Sequence, residues 1–272
     1  MAFEPLEESI EDGRPLVFYR FSLNDKVWRY TSADATLVKG GFTWEAVPIR
    51  DDGANQTGEA TQDALRITTV TSIVPADIYM HYPPARIIQV AIFVAHEGDA
   101  EMLATYQGEI TQFNIPEPGT AVFTCETLSA TMQREGLRLG WQRTCPYALY
   151  DPVTCKVDKT LFAVAGVVGT VVGNVITVAS LAAQPLGRFS GGFLEWIDPV
   201  RGLERRGIES HAGASLALFG TSDGIDPGLN VTCYPGCART TSACISFNNR
   251  PNYGGIPRMD GKSPFDGSPV FY

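Results

Sequence analysis

Apolar residues along this chain recur mostly with a period of two, so the sequence predicts strands rather than helices. Leu16-Val-Phe-Tyr-Arg-Phe-Ser-Leu23 and Lys26-Val-Trp-Arg-Tyr-Thr31 flank Asn24-Asp25 and read as a hairpin. A Gly40-Gly41 turn leads into residues 42–47, and residues 65–74, 87–95, 108–115 and 120–125 carry further strand signals. Together they predict a small barrel or sandwich over about residues 14–125. Helix signals are scarce. The best is residues 126–137, with Leu128 and Met132 on one face. From Asn248 to Tyr272 the chain is turn-rich with little periodicity, and no internal repeat is visible.

Residues 161–187 carry no charge, and a hydropathy window would read them as a membrane span. Their details argue otherwise. Gly166, Gly169 and Gly173 interrupt the run, β-branched residues dominate, and Gly173-Asn174 sits between the strand-like arms Val171-Val172 and Val175-Ile-Thr-Val178. A buried or interface hairpin, without stable membrane insertion, is the expectation.

Composition divides the chain. Of 272 residues, 44% are hydrophobic and 19% charged, enough apolar material for a sizeable core. Residues 1–130 hold 8 basic and 19 acidic side chains, whereas residues 131–272 hold 13 and 11. The expected organisation is an N-terminal β domain at 1–125, a helical linker at 126–144, and a C-terminal loop-rich β domain at 145–272 with hairpins inserted at about 160–232. The net charge of −9, without a Lys/Arg cluster, argues against nucleic-acid binding.

The first residues lack the basic and apolar regions of a secretory signal, so folding in a reducing cytosol is expected. The six cysteines then read as metal ligands or core thiols rather than disulfides. They fall as Cys125, Cys145-x9-Cys155 and Cys233-x3-Cys237-x6-Cys244. No Cys-x2-Cys knuckle is present, yet two loop-borne pairs can converge on one tetrathiolate site. Spacing alone leaves zinc, an iron–sulfur cluster or plain buried thiols open.

Specific stretches narrow these options. Cys145-Pro-Tyr-Ala-Leu-Tyr-Asp-Pro-Val-Thr-Cys155, Phe193-Leu-Glu-Trp196, Tyr234-Pro-Gly-Cys237-Ala-Arg-Thr-Thr-Ser-Ala-Cys244-Ile-Ser-Phe-Asn248, Asn252-Tyr-Gly-Gly255 and Gly261-Lys-Ser-Pro-Phe265 resemble one family in pattern and order. It is that of tail-tip hub proteins of siphovirus-type phages, similar to the hub protein of gene transfer agents and to minor tail protein L of lambda-like phages. Trp28-Arg-Tyr-Thr31 and Gly40-Gly-Phe-Thr-Trp44 extend the resemblance to the N-terminal half.

The resemblance implies a non-enzymatic structural protein of the virion, made in the host cytoplasm, with β-barrel hub domains. It forms part of a threefold ring that closes the tail tube and meets the distal tail protein, the central fibre protein and the tape measure protein. It also implies a [4Fe-4S] cluster on Cys145, Cys155, Cys237 and Cys244, with zinc the lesser alternative. Cys125 and Cys233 fall outside the motif and are expected to tolerate Ser. Ala238, Ile256 and Arg258-Met259-Asp260 depart from the family pattern and leave the ligand set intact.

Three rival readings have named residues. A Cys–His peptidase would draw on His81, His96 or His211, and a glycosidase on Glu195 as general acid. A receptor-binding adhesin could display Tyr253 in the loop Asn252-Tyr-Gly-Gly255, which reads more simply as a packed turn whose glycines relieve φ strain.

Overall fold

A computed structural model describes residues 15–53, 64–96, 101–127 and 140–259. Of the expected helical linker at 126–144, residues 126–127 belong to a strand and 140–144 form no helix, while 128–139 and the motif at 261–265 lie outside the described residues. The chain divides into two compact units, Met1–Arg134 with Ile197–Glu204, and Glu135–Trp196 with Arg205–Tyr272.

Among the described residues the first unit has nine strands: β1 (Pro15–Leu23), β2 (Lys26–Thr31), β3 (Leu37–Lys39), β4 (Phe42–Ala46), β5 (Ile49–Asp51), β6 (Leu65–Val70), β7 (Gln89–His96), β8 (Leu103–Glu117) and β9 (Thr120–Thr127). A helix, α1 (Val74–His81), joins β6 to β7. The Asn24-Asp25 hairpin forms as expected, with Leu23 opposite Lys26. Gly40 and Gly41 both take positive φ, which lets two residues close the β3–β4 turn.

Alternation assigns side chains to two faces. Val17, Tyr19, Phe21 and Leu23 of β1 face a large core shared with Leu65 and Ile67, Val90 and Ile92, and Ala121, Phe123 and Cys125. Phe18 faces a small second core with Trp44 and Ala95. On β8, Tyr106 and Ile110 point into the large core, and a register shift after Ile110 then turns Phe113 onto the same side.

This sheet does not close. Its hydrogen-bonded order, β3-β4-β2-β1-β7-β8-β9-β6-β5, ends on two strands of three residues each. The barrel or sandwich expected from the strand train is, among the described residues, an open nine-stranded sheet. Ala76 and Ile78 of α1 join the large core, so a helix supplies cover that a closing strand would otherwise give. Segment Ile197–Glu204 completes this unit. The buried Arg201 guanidinium donates to the carbonyls of Ile78 (2.8 Å) and Tyr82 (3.0 Å) and lies over the Tyr82 ring, while the Ala85 N–H donates to Glu204 at 3.2 Å.

Six strands close a barrel in the order β10-β11-β14-β13-β12-β15, and all but residues 197–198 and 202–204 of them fall in the second unit. The strands are β10 (Val164–Val172), β11 (Val175–Val178), β12 (Phe193–Asp198), β13 (Gly202–Ala212), β14 (Ser215–Leu218) and β15 (Asn230–Tyr234). The uncharged run supplies the β10–β11 hairpin, Val172 pairing with Val175 around Gly173-Asn174. Val168, Ile176 and Val178 enter the barrel core, whereas Val172 is 73% exposed. Gly166 and Gly169 are needed for close approach: a Cβ on Gly166 would lie 2.4 Å from the Val178 side chain, and one on Gly169 2.9 Å from the Thr177 hydroxyl. No helix among the described residues is long and apolar enough to cross a membrane.

Candidate metal centre

The loops beside the barrel carry the cysteines. In the loop 145–155, Tyr150 takes a left-handed φ, and the Asp151 carboxylate accepts from the backbone N–H of Thr154 at 2.7 Å and from its hydroxyl. Those bonds hold the Asp151 carboxyl below its usual range. Lys156, also left-handed, donates its N–H to the Asp151 carbonyl at 2.7 Å, and Cys155 is thereby turned inward.

The second pair follows β15. Arg239 adopts φ +59° and donates its N–H to the Cys237 sulfur at 3.3 Å, while its carbonyl accepts from the Cys145 N–H at 2.9 Å. One strained residue thus clamps the two cysteine loops together. Thr240 caps the short helix α2 (Thr241–Ser246) through Ala243 N–H at 3.2 Å, and α2 carries Cys244.

Cys145, Cys155, Cys237 and Cys244 all line one cavity of about 240 Å³, walled by Tyr147, Tyr150, Phe193 and Phe247. All four are free thiols. Burial, and then the neighbouring Cys145, Cys155 and Cys237, push the Cys244 thiol up. Four thiolates alone in this cavity would repel one another, and a cationic centre reverses that sign. Among the described residues no three His, Cys, Asp or Glu side chains are grouped closely enough to share one metal ion. A single zinc would need its four sulfurs within about 4 Å of each other, since each bond is about 2.3 Å long. The four thiols share the lining of one cavity without such a grouping.

Asn249, which the sequence did not single out, is the buried polar residue of this site. Its Nδ2 donates to the Cys155 carbonyl and lies 3.7 Å from the Cys155 sulfur, and its Oδ1 accepts from Asn252 Nδ2 at 2.7 Å. The Cys244 thiol donates to its carbonyl at 3.1 Å. Its only sequence signal is the Asn248-Asn249 pair just beyond α2.

The other two thiols lie elsewhere. Cys125 is fully buried in the large core of the first unit, opposite Leu65 and Ile110, and Cys233 is fully buried in the barrel core. Burial pushes both thiols up to about 12, the signature of inert core cysteines.

No histidine lines the thiol cavity. His81 is exposed beside Asp77, His96 is buried at the end of β7, and the His211 Nε2 is bonded to the Gly213 carbonyl at 2.8 Å. Glu195 is buried on β12 between Lys159 (3.1 Å) and Arg205. Burial alone would raise its pKa, but hydrogen bonds from Arg205, Lys159 and Tyr234 prevail and hold it below the usual range. A general acid needs the opposite shift. The Tyr253 hydroxyl donates to the Arg143 carbonyl at 2.8 Å, so this ring is tied down rather than displayed. Gly254 and Gly255 do not take positive φ. A Cβ on either would collide, with the Tyr147 ring at 2.3 Å and the Arg143 carbonyl at 2.6 Å, so close approach and not φ strain explains the pair.

A family model described as "Phage conserved hypothetical protein BR0599" matches residues 187–263, which include Cys237 and Cys244. An uncharacterized protein of Xylella fastidiosa (strain 9a5c) is 29% identical over 112 residues, 37% of this chain, and the match spans only 23% of that protein. Among solved structures, a chain from the virion of a native gene transfer agent particle superposes with a TM-score of 0.81 at 18% identity, covering 98% of this chain and 95% of that one. The similarity to gene transfer agent proteins expected from the motifs is thus met in structure: this chain shares its fold, over nearly its whole length, with a component of such a virion.

Proposed function

We propose that this protein is a structural component of the phage-type tail tip, a baseplate hub that closes the tail tube and joins it to the central fibre protein within the virion. The observation that carries the reading is the superposition on a gene transfer agent virion chain with both chains covered almost completely, which favours an equivalent role over the borrowing of one domain. The fold assigns no chemistry by itself. The burial and ionisation of Glu195 and the absence of histidine from the thiol cavity disfavour the glycosidase and peptidase readings. Partners on this reading are the distal tail, fibre and tape measure proteins, and the assembled state is a trimer.

Cys145, Cys155, Cys237 and Cys244 are proposed to hold one [4Fe-4S] cluster. When bound, the cluster supplies a cross-link through four iron–thiolate bonds. The chain supplies two loops some eighty residues apart in sequence, where closure helps most. The test is the purified particle together with the purified protein. Three copies of this chain at the tail tip, and iron and acid-labile sulfide in anaerobic protein, are expected. A chain absent from the particle overturns the hub reading, and stoichiometric zinc under iron-replete anaerobic expression overturns the cluster.

A further inference from the structure

We infer that Asn249 is the positioning residue of this thiol centre and that its side-chain amide, with the Arg239 backbone N–H, sets the reduction potential of the group held there. The inference rests on the cluster reading above and goes beyond the four ligands to the donors aimed at their sulfurs.

The orientation of Asn249 is over-determined. Its two amide hydrogens are directed at Cys155, at the carbonyl and at the sulfur 3.7 Å away. Its Oδ1 takes the Asn252 amide at 2.7 Å. A flipped amide would face the Cys155 carbonyl with an oxygen, so the network permits one placement of Nδ2. Backbone bonds fix the residue as well, its N–H on the Cys244 carbonyl at 3.0 Å. A buried asparagine held on all sides beside a thiol does more than fill space.

The contacts also distinguish thiol from thiolate. The Cys244 S–H bond to the Asn249 carbonyl exists only while that sulfur keeps its proton. The N–H bonds to Cys155 and Cys237 instead strengthen when those sulfurs are anionic. Two of the four sulfurs therefore have donors suited to their ligated form. The positive end of an N–H dipole favours the more negative, reduced state of an iron–sulfur centre, so these donors raise its potential. Arg239 gives its N–H from the backbone at φ +59°, where a side-chain exchange leaves the donor in place.

The experiment uses full-length protein purified without oxygen and compares wild type, Asn249→Asp and Asn252→Leu. Asn249→Asp keeps the shape and the acceptor for Asn252 but removes both amide hydrogens. Asn252→Leu leaves Asn249 present but frees its amide. Iron and sulfide content are measured first, then the midpoint potential by mediated titration with dithionite and the electron paramagnetic resonance of the reduced form. The expected result is a more negative midpoint for Asn249→Asp at unchanged iron content, a smaller shift of the same sign for Asn252→Leu, and altered g values in both. If Asn249→Asp does not fold, Asn252→Leu decides. Loaded variants with wild-type midpoints and spectra overturn this inference alone. Wild-type protein without iron and sulfide overturns the cluster reading and this inference with it.

Discussion

Six identical side chains occupy two physical classes here, and parity along the strand separates them. Cys233 shares a face with Val231 on β15 and points into the barrel core, whereas Cys237 lies beyond the strand end. The alternation was present in the sequence, but cysteine spacing does not show where a strand stops. Because Cys125 and Cys233 are fully buried among apolar side chains, Ser is not neutral at either position. Each Cys→Ser change should cost about 1–3 kcal/mol in denaturant unfolding, without altering iron content. Glu195 gives a second residue-scale test. Its folded pKa is depressed, so its contribution is present above the ordinary glutamate value of about 4.3 and is lost as pH falls through the folded pKa. Glu195→Gln should cost about 1–2 kcal/mol at pH 7, allowing for the partly exposed Lys159 and Arg205. Between pH 5 and pH 3, urea melts of wild type should lose more stability than those of the variant.

At the scale of elements, strands announced themselves and α1 did not. Its N-cap position is Ile73, which offers no side-chain cap, and its sequence Val-Pro-Ala-Asp-Ile-Tyr-Met-His is too short for a clear helical period. Toward its C-terminal end the carbonyls of Ile78 and Tyr82 accept from Arg201, more than a hundred residues away, a contact that no local signal encodes. Arg201→Met should cost about 3 kcal/mol, because two buried carbonyls lose charge-assisted donors. Faster hydrogen exchange confined to residues 74–85 would locate that loss. The glycines of Asn252-Tyr-Gly-Gly255 were legible as a turn, but their reason lies in Tyr147 and Arg143, residues distant in sequence. Gly254→Ala should destabilise the second unit by about 1–3 kcal/mol in thermal unfolding, since the added carbon meets an aromatic ring.

For the whole molecule, the change in charge composition near residue 130 suggests two zones, and the chain does form two compact units. Composition could not show that the first unit takes back a second, eight-residue piece. A fragment cut near residue 130 lacks Arg201 and Glu204. It should retain its β-rich circular dichroism but melt well below the corresponding transition of the intact protein, with residues 74–85 unprotected. Equal melting temperatures would show that segment 197–204 adds nothing to the first unit. The open sheet and the closed barrel were not distinguishable in advance, because closure depends on which strand ends meet and not on how many strands there are.

The return of residues 197–204 to the first unit also bears on inheritance. Genomes that exchange segments most readily swap modules that one crossover can cut cleanly, at a junction few contacts span. No single breakpoint between residues 134 and 197 does that here, because any such junction pairs the helix ends of one parent with the arginine-bearing tip of another. Hybrids joined there should function only when both parents keep an arginine at that tip and accepting carbonyls beneath it, so the two units are expected to travel through recombining populations as one block.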